Sequence, residues 1–456
     1  MSSGILQQED KVQVMLSGFI KFGKEHDFLP GKKKILLAVS GGIDSMVMTD
    51  LFSRAGFAFD IAHCNFLLRG KESAEDAEFV KNFCKLRKIK FHCREFNTEE
   101  YAIKNKQSIQ HAARNLRYEW FSELLAKQKY KFLATAHHLD DSIETFFINL
   151  LRGSGIHGLT GIPEKRQDII RPLICFSRKE INSYAISSGI EWREDSSNAS
   201  ADYLRNRIRQ NLSPLLLELQ PEFPGIMQKN FEHLRQTAAF QDEFAENLLK
   251  KFLKKVKHNS WKINTQLLKK ETKPEAKLQL MLRTFNILTS NPGSMLASGQ
   301  AGKLYYSGEY RLLRDRAFLL IEKKKDSQIG EFPISSKDRF VQLEDISLEL
   351  KTSKIHSKTK VSRQISRHDL DSKNLKFPLQ LRQWKAGDYF FPLGMTKRKK
   401  VSDFLIDAKV NRFEKEKCMV LLSGTNIICI LGHRIDERYK VNEETKNIFS
   451  ISIKQN

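Results

Sequence analysis

No two cysteines in this 456-residue sequence form a Cys-x-x-Cys pair, and the six thiols, at 64, 84, 93, 175, 418 and 429, lack any zinc-type spacing. A zinc ribbon or a dithiol redox centre is therefore excluded as the basis of function, and a chain this long needs no disulfides to fold. The cysteines are expected to be buried free thiols. Long apolar runs are absent as well, so no membrane span is read. The N-terminal MSSGILQQEDKVQ has neither the basic nor the apolar region of a secretion signal, which makes the cytoplasm the expected compartment. No segment fits G-x-x-x-x-G-K-[ST], so a Walker A loop is excluded. Acidic residues are in short supply, 54 against 77 basic ones, for a formal charge of +23. The excess is uneven, +6 over residues 1–212 and +17 over 213–456. Such a balance points to a polyanionic partner or a membrane surface, with a merely solvated lysine-rich surface as the bland alternative.

The length exceeds what one hydrophobic core usually serves, so two or three domains are expected. From Lys32 to about Ser188, short β-rich runs alternate with helical patterns. KILLAVS, FDIAHCNFLL, KFHCREF and KFLATAH are each followed by an amphipathic stretch, and DIIRPLI with SRKEINSYAISS continues the series. This alternation implies parallel strands joined by crossover helices, with ligands at the carboxyl ends of the strands. The fold class is thus α/β over residues 1–212. A mainly helical linker domain is expected over 213–325, helical to about Leu288 and strand-like from about Tyr305. A strand-containing linker region follows at 326–376, with polar loops around 323–330 and 351–375, and a small α+β C-terminal domain at 377–456.

The most informative stretch is LLAVSGGIDSMVM, Leu36 to Met48. A buried strand stops, and a helix starts near Asp44, leaving backbone N–H groups uncovered at a helix N-terminus, which is an anion site. Gly41 and Gly42 allow close approach to a phosphate, Ser40 and Ser45 add hydroxyls, and Ile43 lies between them. Asp44 beside phosphates implies a bridging divalent cation. A plain tight turn needs one glycine, but neither a serine at each end nor an acid. By contrast, Gly153, Gly155 and Gly158 in GSGIHG match G-x-G-x-x-G but follow a helical pattern, so a helix C-terminus and loop explains them better.

A second cluster, His137, His138, Asp140, Asp141 and Glu144, ends the strand KFLATA. Asp141 and Glu144, three apart, share a helix face. Acids so placed suit holding Mg²⁺, orienting an amine or taking a proton, whereas helix N-capping accounts for only one of them. In a third cluster, Arg114 and Arg117 stand one turn apart and suit phosphate, with surface arginines as the alternative. The run Arg205, Arg207, Arg209 is similarly open.

On these residues the sequence resembles the PP-loop (N-type) ATP pyrophosphatases, and within them the tRNA(Ile)-lysidine synthase family. The resemblance takes in SGGIDS, His63-Cys-Asn65, Leu68-Arg69-Gly70, Ala112-Ala113-Arg114 with Arg117-Tyr118, and AHHLDDSIETFFINLLRGSGIHGL. It also includes the RPL at 171–173, Asp195-Ser-Ser-Asn198, Arg205-Asn206-Arg207, and WKAGDYFFPLGM, KKVSDFLID and GHRIDERY near the C-terminus. Phe66 and Leu67 depart from the histidine and glycine of many members, and Ser142 from a common glutamine. The resemblance implies ATP and L-lysine as substrates, together with the isoleucine tRNA whose anticodon is CAU, held by the regions 213–325 and 377–456. Adenylation of C2–O of the wobble cytidine, followed by attack of the lysine ε-amine, would give lysidine, AMP and diphosphate, shifting decoding from AUG to AUA. It also implies nucleotide binding by residues 40–45, Mg²⁺ on Asp44 and Asp140, and catalytic roles for Asp44, Asp141, Glu144, His137, Arg114 and Arg117. The chain would act as a monomer or homodimer, without a membrane. The competing readings are a PP-loop tRNA thiolase, which the cysteine spacing disfavours, and a small-molecule adenylating ligase, which leaves the basic half idle. A non-catalytic RNA-binding protein with structural ATP does not explain the acids.

Overall fold

The structure is a computed structural model that describes residues 2–29, 31, 33–194, 203–257, 259–289, 291–297, 301–324, 330–343, 346–355 and 364–455. The Asp195-to-Asn198 stretch lies outside the described residues. The chain divides into two compact units, Met1–Gln241 and Asp242–Asn456.

The first unit is built on strands β1 (Ile35–Ala38), β2 (Phe59–Asn65), β3 (Phe91–Glu95), β4 (Leu133–Ala134), β5 (Lys165–Arg166) and β6 (Ile169–Ile170) in the order β3-β2-β1-β4-β6-β5. All neighbours are parallel except the β5–β6 pair. Its helices are α1 (Ser2–Glu25), α2 (Ile43–Arg54), α3 (Lys71–Arg87), α4 (Thr98–Asn105), α5 (Ile109–Gln128), α6 (Leu139–Leu151) and α7 (Arg178–Ser187). Then come α8 (Tyr203–Arg207), a π-helical segment at Ile208–Leu212, α9 (Ser213–Leu219) and the part of α10 (Phe223–Phe252) up to Gln241.

The β1 strand is apolar throughout because both faces are covered. Leu37 joins a core with Met46 and Phe52 of α2, Tyr184 of α7 and Phe19 of α1, whereas Leu36 packs with Trp120 and Phe121 of α5. Alternate side chains thus serve opposite layers. Successive strands run outward from β1 to β2 and β3 on one side and to β4 and β6 on the other. A crevice therefore opens where β1 and β4 part, at their carboxyl ends. The loops that follow these two strands are SGGIDS and AHHLDD. Beyond α6, Gly153 takes φ +73° and Ile156–Gly158 is a 3₁₀ turn, so GSGIHG is a helix exit.

In the second unit the expected helical run to about Leu288 is interrupted. Leu253–Lys257 and Ser260–Asn264 pair with each other and join strands at 304–323 in a five-stranded antiparallel sheet. The lysines of LKKVK lie exposed, and this hid the strand. The segment RFVQLEDISLELKTSKI reads as strand-like and carries the strand Ile346–Lys354, whereas Arg367–Asp371 falls in the polar stretch expected as a loop; both are hydrogen-bonded to Asn447–Gln455. Leu348, Leu350 and Leu370 point into a core shared with Leu379, Leu421 and Phe449, and the charges occupy the alternate face. Cysteines 84, 418 and 429 are buried, but Cys93 is exposed and Cys64 and Cys175 are half-buried, contrary to the expectation for all six.

Candidate active site

The glycine loop is organised from inside by a serine. Ser45 Oγ accepts from the amides of Ser40 and Gly41, both at 3.2 Å, and donates to the Gly42 carbonyl at 2.8 Å. Ser40 Oγ accepts from the Gly42 amide at 3.3 Å. The loop amides are therefore not bare, as the sequence suggested: those of 40, 41 and 42 are met by hydroxyls. The first-turn amides of α2, at Ile43, Asp44 and Ser45, have no upstream acceptor within the helix and give the loop its anion-binding face. Gly41 takes φ +97°, the left-handed region that favours glycine, while its carbonyl accepts from the Arg193 amide at 3.0 Å.

At the end of β4, His138 is buried among three carboxylates. Its Nε2 lies 3.7 Å from Asp141 and 3.9 Å from Asp44, and its Nδ1 lies 3.7 Å from Asp140. Burial opposes a charge on this imidazole, but Asp141, Asp140 and Asp44 together raise its pKa above the ordinary value. Burial likewise opposes charge on Asp140 and Asp141, yet their pKa values are lowered, with His138 as the leading cause in each case. The His138 amide donates to Asp141 Oδ2 at 3.1 Å, so this acid also caps α6. His137 behaves oppositely: burial pushes its pKa down to about 4, leaving a neutral ring whose Nδ1 lies 3.0 Å from Thr135 Oγ1.

A cleft of about 480 Å³ joins the two loops. Ser40, Asp44, Ser45, His137, Asp141 and Arg117 line it, so it gathers much of what sequence singled out. Gly41, Gly42, Ile43, Asp140, Glu144 and Arg114 do not face this cavity. Glu144, expected to share the reactive face with Asp141, is buried instead against Arg205 (2.8 Å) and Arg209 (2.7 Å). Arg114 stacks over Tyr118 at 5.0 Å, and Arg117 over Phe66 at 5.1 Å. Asp44 is held by Arg178, whose Nη1 is 2.6 Å from Oδ1, while the Arg178 amide donates to Asp140 at 2.8 Å.

The sequence names His138 only as a member of the second cluster and His63 only within the resemblance, and it gives no site role to Asp76, Thr135 or Arg178. His63 Nδ1 meets the Val39 carbonyl at 2.9 Å, and Arg69 pairs with Asp76 at 2.9 Å on the cleft wall. For Arg178 a signal existed: Ser177-x-x-Glu180 is a capping box that puts Arg178 at the first position of a helix pointing at the crevice.

Three stretches match known families: residues 11–216 a PP-loop domain, 255–324 the TilS substrate binding domain and 379–453 the TilS substrate C-terminal domain. A U34-tRNA thiolase from Methanococcus maripaludis, solved with its [4Fe-4S] cluster, is 19% identical, with a TM-score of 0.41 over 48% of this chain and 78% of that one. Two tRNA(Ile)-lysidine synthases are similar over nearly the whole length. That of Bacteroides thetaiotaomicron is 35% identical over 94% of this chain and 97% of its own, and that of Parabacteroides distasonis is 35% identical over 94% and 97%. With the loop after β1, the acid cluster after β4 and both accessory domains matched in one sequence, this chain belongs to the tRNA(Ile)-lysidine synthase family.

Proposed function

We infer that the chain is an ATP-consuming C–N ligase that joins L-lysine to C2 of the wobble cytidine of tRNA(Ile) with anticodon CAU, releasing AMP and diphosphate. The observation that carries the reading is the single cleft shared by the glycine–serine loop and the His137–Asp141 cluster, inside a chain of this family. Adenylation converts the C2 oxygen of cytidine into a good leaving group. In that same step the C2 oxygen attacks the α-phosphorus and diphosphate leaves, and the amides of the α2 N-terminus stabilise the charge that develops on it.

Asp44 lines the cleft and Asp140 stands just outside it, both gathered around His138 and Arg178. Mg²⁺ held jointly with ATP phosphates would take Asp44 and, on this reading, Asp140, since this ion commonly takes one or two carboxylates plus phosphate oxygens. No group of three His, Cys, Asp or Glu side chains able to hold a metal by itself occurs among the described residues. The ion would neutralise charge on the departing diphosphate. Asp141, kept ionised chiefly by the charged imidazole of His138, orients the lysine amine, and His137 offers a neutral ring nitrogen as hydrogen-bond acceptor. Glu144 supports this arrangement through its arginines. Arg117 on the cleft wall, and Arg114 one turn away outside the cavity, are our candidates for phosphate or base contacts, with Phe66 and Tyr118 beside Arg117 able to stack on an unstacked cytosine.

Among the described residues no helix is long and apolar enough to cross a membrane. We place the reaction in the cytoplasm, with the enzyme working as a monomer or homodimer. A thiolase is disfavoured by Cys64, the cysteine lining the cleft, because burial pushes its thiol up to about 12 and keeps it protonated. The test is to incubate the protein with ATP, labelled lysine and a tRNA(Ile) transcript. Lysine label in RNA supports the reading, and sulfur transfer or inert binding overturns it.

A further inference from the structure

We propose that Arg178 is a positioning residue that keeps the place of the divalent cation in the nucleotide-free enzyme and moves to the phosphates when Mg·ATP binds. The proposal rests on the reading of Asp44 as a metal ligand. Three helix N-termini meet at this residue. Its Nη1 lies 2.6 and 2.5 Å from the two oxygens of Asp44, on α2, while its backbone amide donates to Asp140 Oδ2, on α6, at 2.8 Å. One residue therefore holds two carboxylates that come from different elements and would otherwise repel across the crevice.

The mounting is rigid on the main-chain side. The Ser177 amide donates to Glu180 Oε2 at 2.7 Å, and the Glu180 amide returns to Ser177 Oγ at 3.3 Å. Tyr184 Oη donates to Asp50 on α2 at 2.8 Å, and the Leu139 amide to the Phe176 carbonyl at 2.9 Å. Thus α7 is fastened both to α2 and to the start of α6. The side-chain end is different. The guanidinium side chain is 42% exposed and Asp44 27%, so their pair can open to water without stranding a buried charge.

A divalent cation needs the same Asp44 oxygens that Nη1 occupies, so the two compete. Once displaced, the guanidinium remains anchored a few bonds from the loop, and its planar fork of donors matches phosphate oxygens. Arg178 thereby exchanges a carboxylate for a phosphate, and Asp44 meets the incoming ion already oriented.

The experiment uses the full chain with Mn²⁺ as a spectroscopic probe and inorganic pyrophosphate as the anion. In Arg178→Gln, Mn²⁺ affinity without nucleotide is expected to rise about fivefold, the worth of a partly exposed ion pair. Pyrophosphate affinity should fall about tenfold, from loss of a charge-assisted contact. Arg178→Lys, which keeps the charge but not the fork, should leave Mn²⁺ near the wild-type value and still weaken pyrophosphate. A distorted site would weaken both ligands, so the opposite signs mark exchange. Weaker or unchanged Mn²⁺ binding in Arg178→Gln overturns the proposal. Asp44→Asn separates the layers. If it leaves Mn²⁺ binding intact, the metal role of Asp44 fails; if it abolishes binding while Arg178→Gln does not tighten it, only the exchange fails.

Discussion

The buried carboxylate of Glu144 pairs with the partly exposed Arg209, Oε1 to Nε 2.7 Å, and Arg205 closes on the other carboxylate oxygen at 2.8 Å. The acid is 3% exposed. The pair fastens α6, which starts at the cleft, to the helical run that begins at Tyr203. Removing the carboxylate leaves two guanidinium groups that water reaches in part, 36% and 44% exposed, so the cost falls below that of a fully buried pair, at about 1–2 kcal/mol. Glu144→Ala is accordingly expected to lower the urea midpoint of unfolding clearly, alongside lost activity. An unchanged midpoint with lost activity would move Glu144 into the chemistry itself.

Ser45 is expected to matter for nucleotide binding without touching a phosphate through its hydroxyl. The Ser45→Ala variant leaves the Ser40 and Gly41 amides without their acceptor. Two unmet amides in a partly exposed loop cost about 1–2 kcal/mol, or roughly tenfold in ATP affinity. Calorimetric titration with ATP checks this, and equal affinity would show that the loop is shaped without the serine.

Leu67 carries a cost that the sequence hints at. It sits at φ +57°, is half exposed, and its amide donates to Asn65 Oδ1 at 3.1 Å. A leucine in the left-handed region is strained by about 1 kcal/mol, and glycine is not. Leu67→Gly should thus raise stability by about that amount in urea unfolding. A destabilised variant would mean that the side chain packs more than its exposure implies.

His368 predicts an acid sensitivity in the second unit. It is buried, and burial, then His433, push its pKa down to about 4 from 6.5. Its Nε2 accepts from the Gly432 amide at 3.0 Å, so the ring is neutral when folded. The unfolded chain binds this proton more tightly. Stability is therefore unaffected by this group above pH 6.5 and falls as pH drops from 6.5 toward 4, by a limit of about 3 kcal/mol. His368→Gln should be less stable at pH 7.5 yet lose less on acidification. The same acid slope in both proteins would contradict this.

The α/β half could be read because each strand there is a short apolar run closed by a helix start. β1 and β4 also end in residues, SGGIDS and HHLDD, that no buried strand can carry. The strand Leu253–Lys257, with its exposed lysines, is not legible in the sequence, because pairing with Ser260–Asn264 rather than side-chain alternation determines it. Arg178 meets Asp44 across 134 positions: the capping box places Arg178 at a helix start, but its partner depends on how α7 packs on α2, which no local pattern carries. The inward turn of Ser45 was likewise hidden, since a serine beside glycines reads equally as a ligand or as a brace.

The most direct measurement is transfer of label from ATP, labelled at the α-phosphorus, to a tRNA(Ile) transcript in the absence of lysine. The wild-type protein is expected to label the RNA, and Asp44→Ala to bind the transcript with unchanged affinity while transferring no label. Equal labelling by the two proteins, or none by either, would contradict an adenylyl transfer run from the loop after β1.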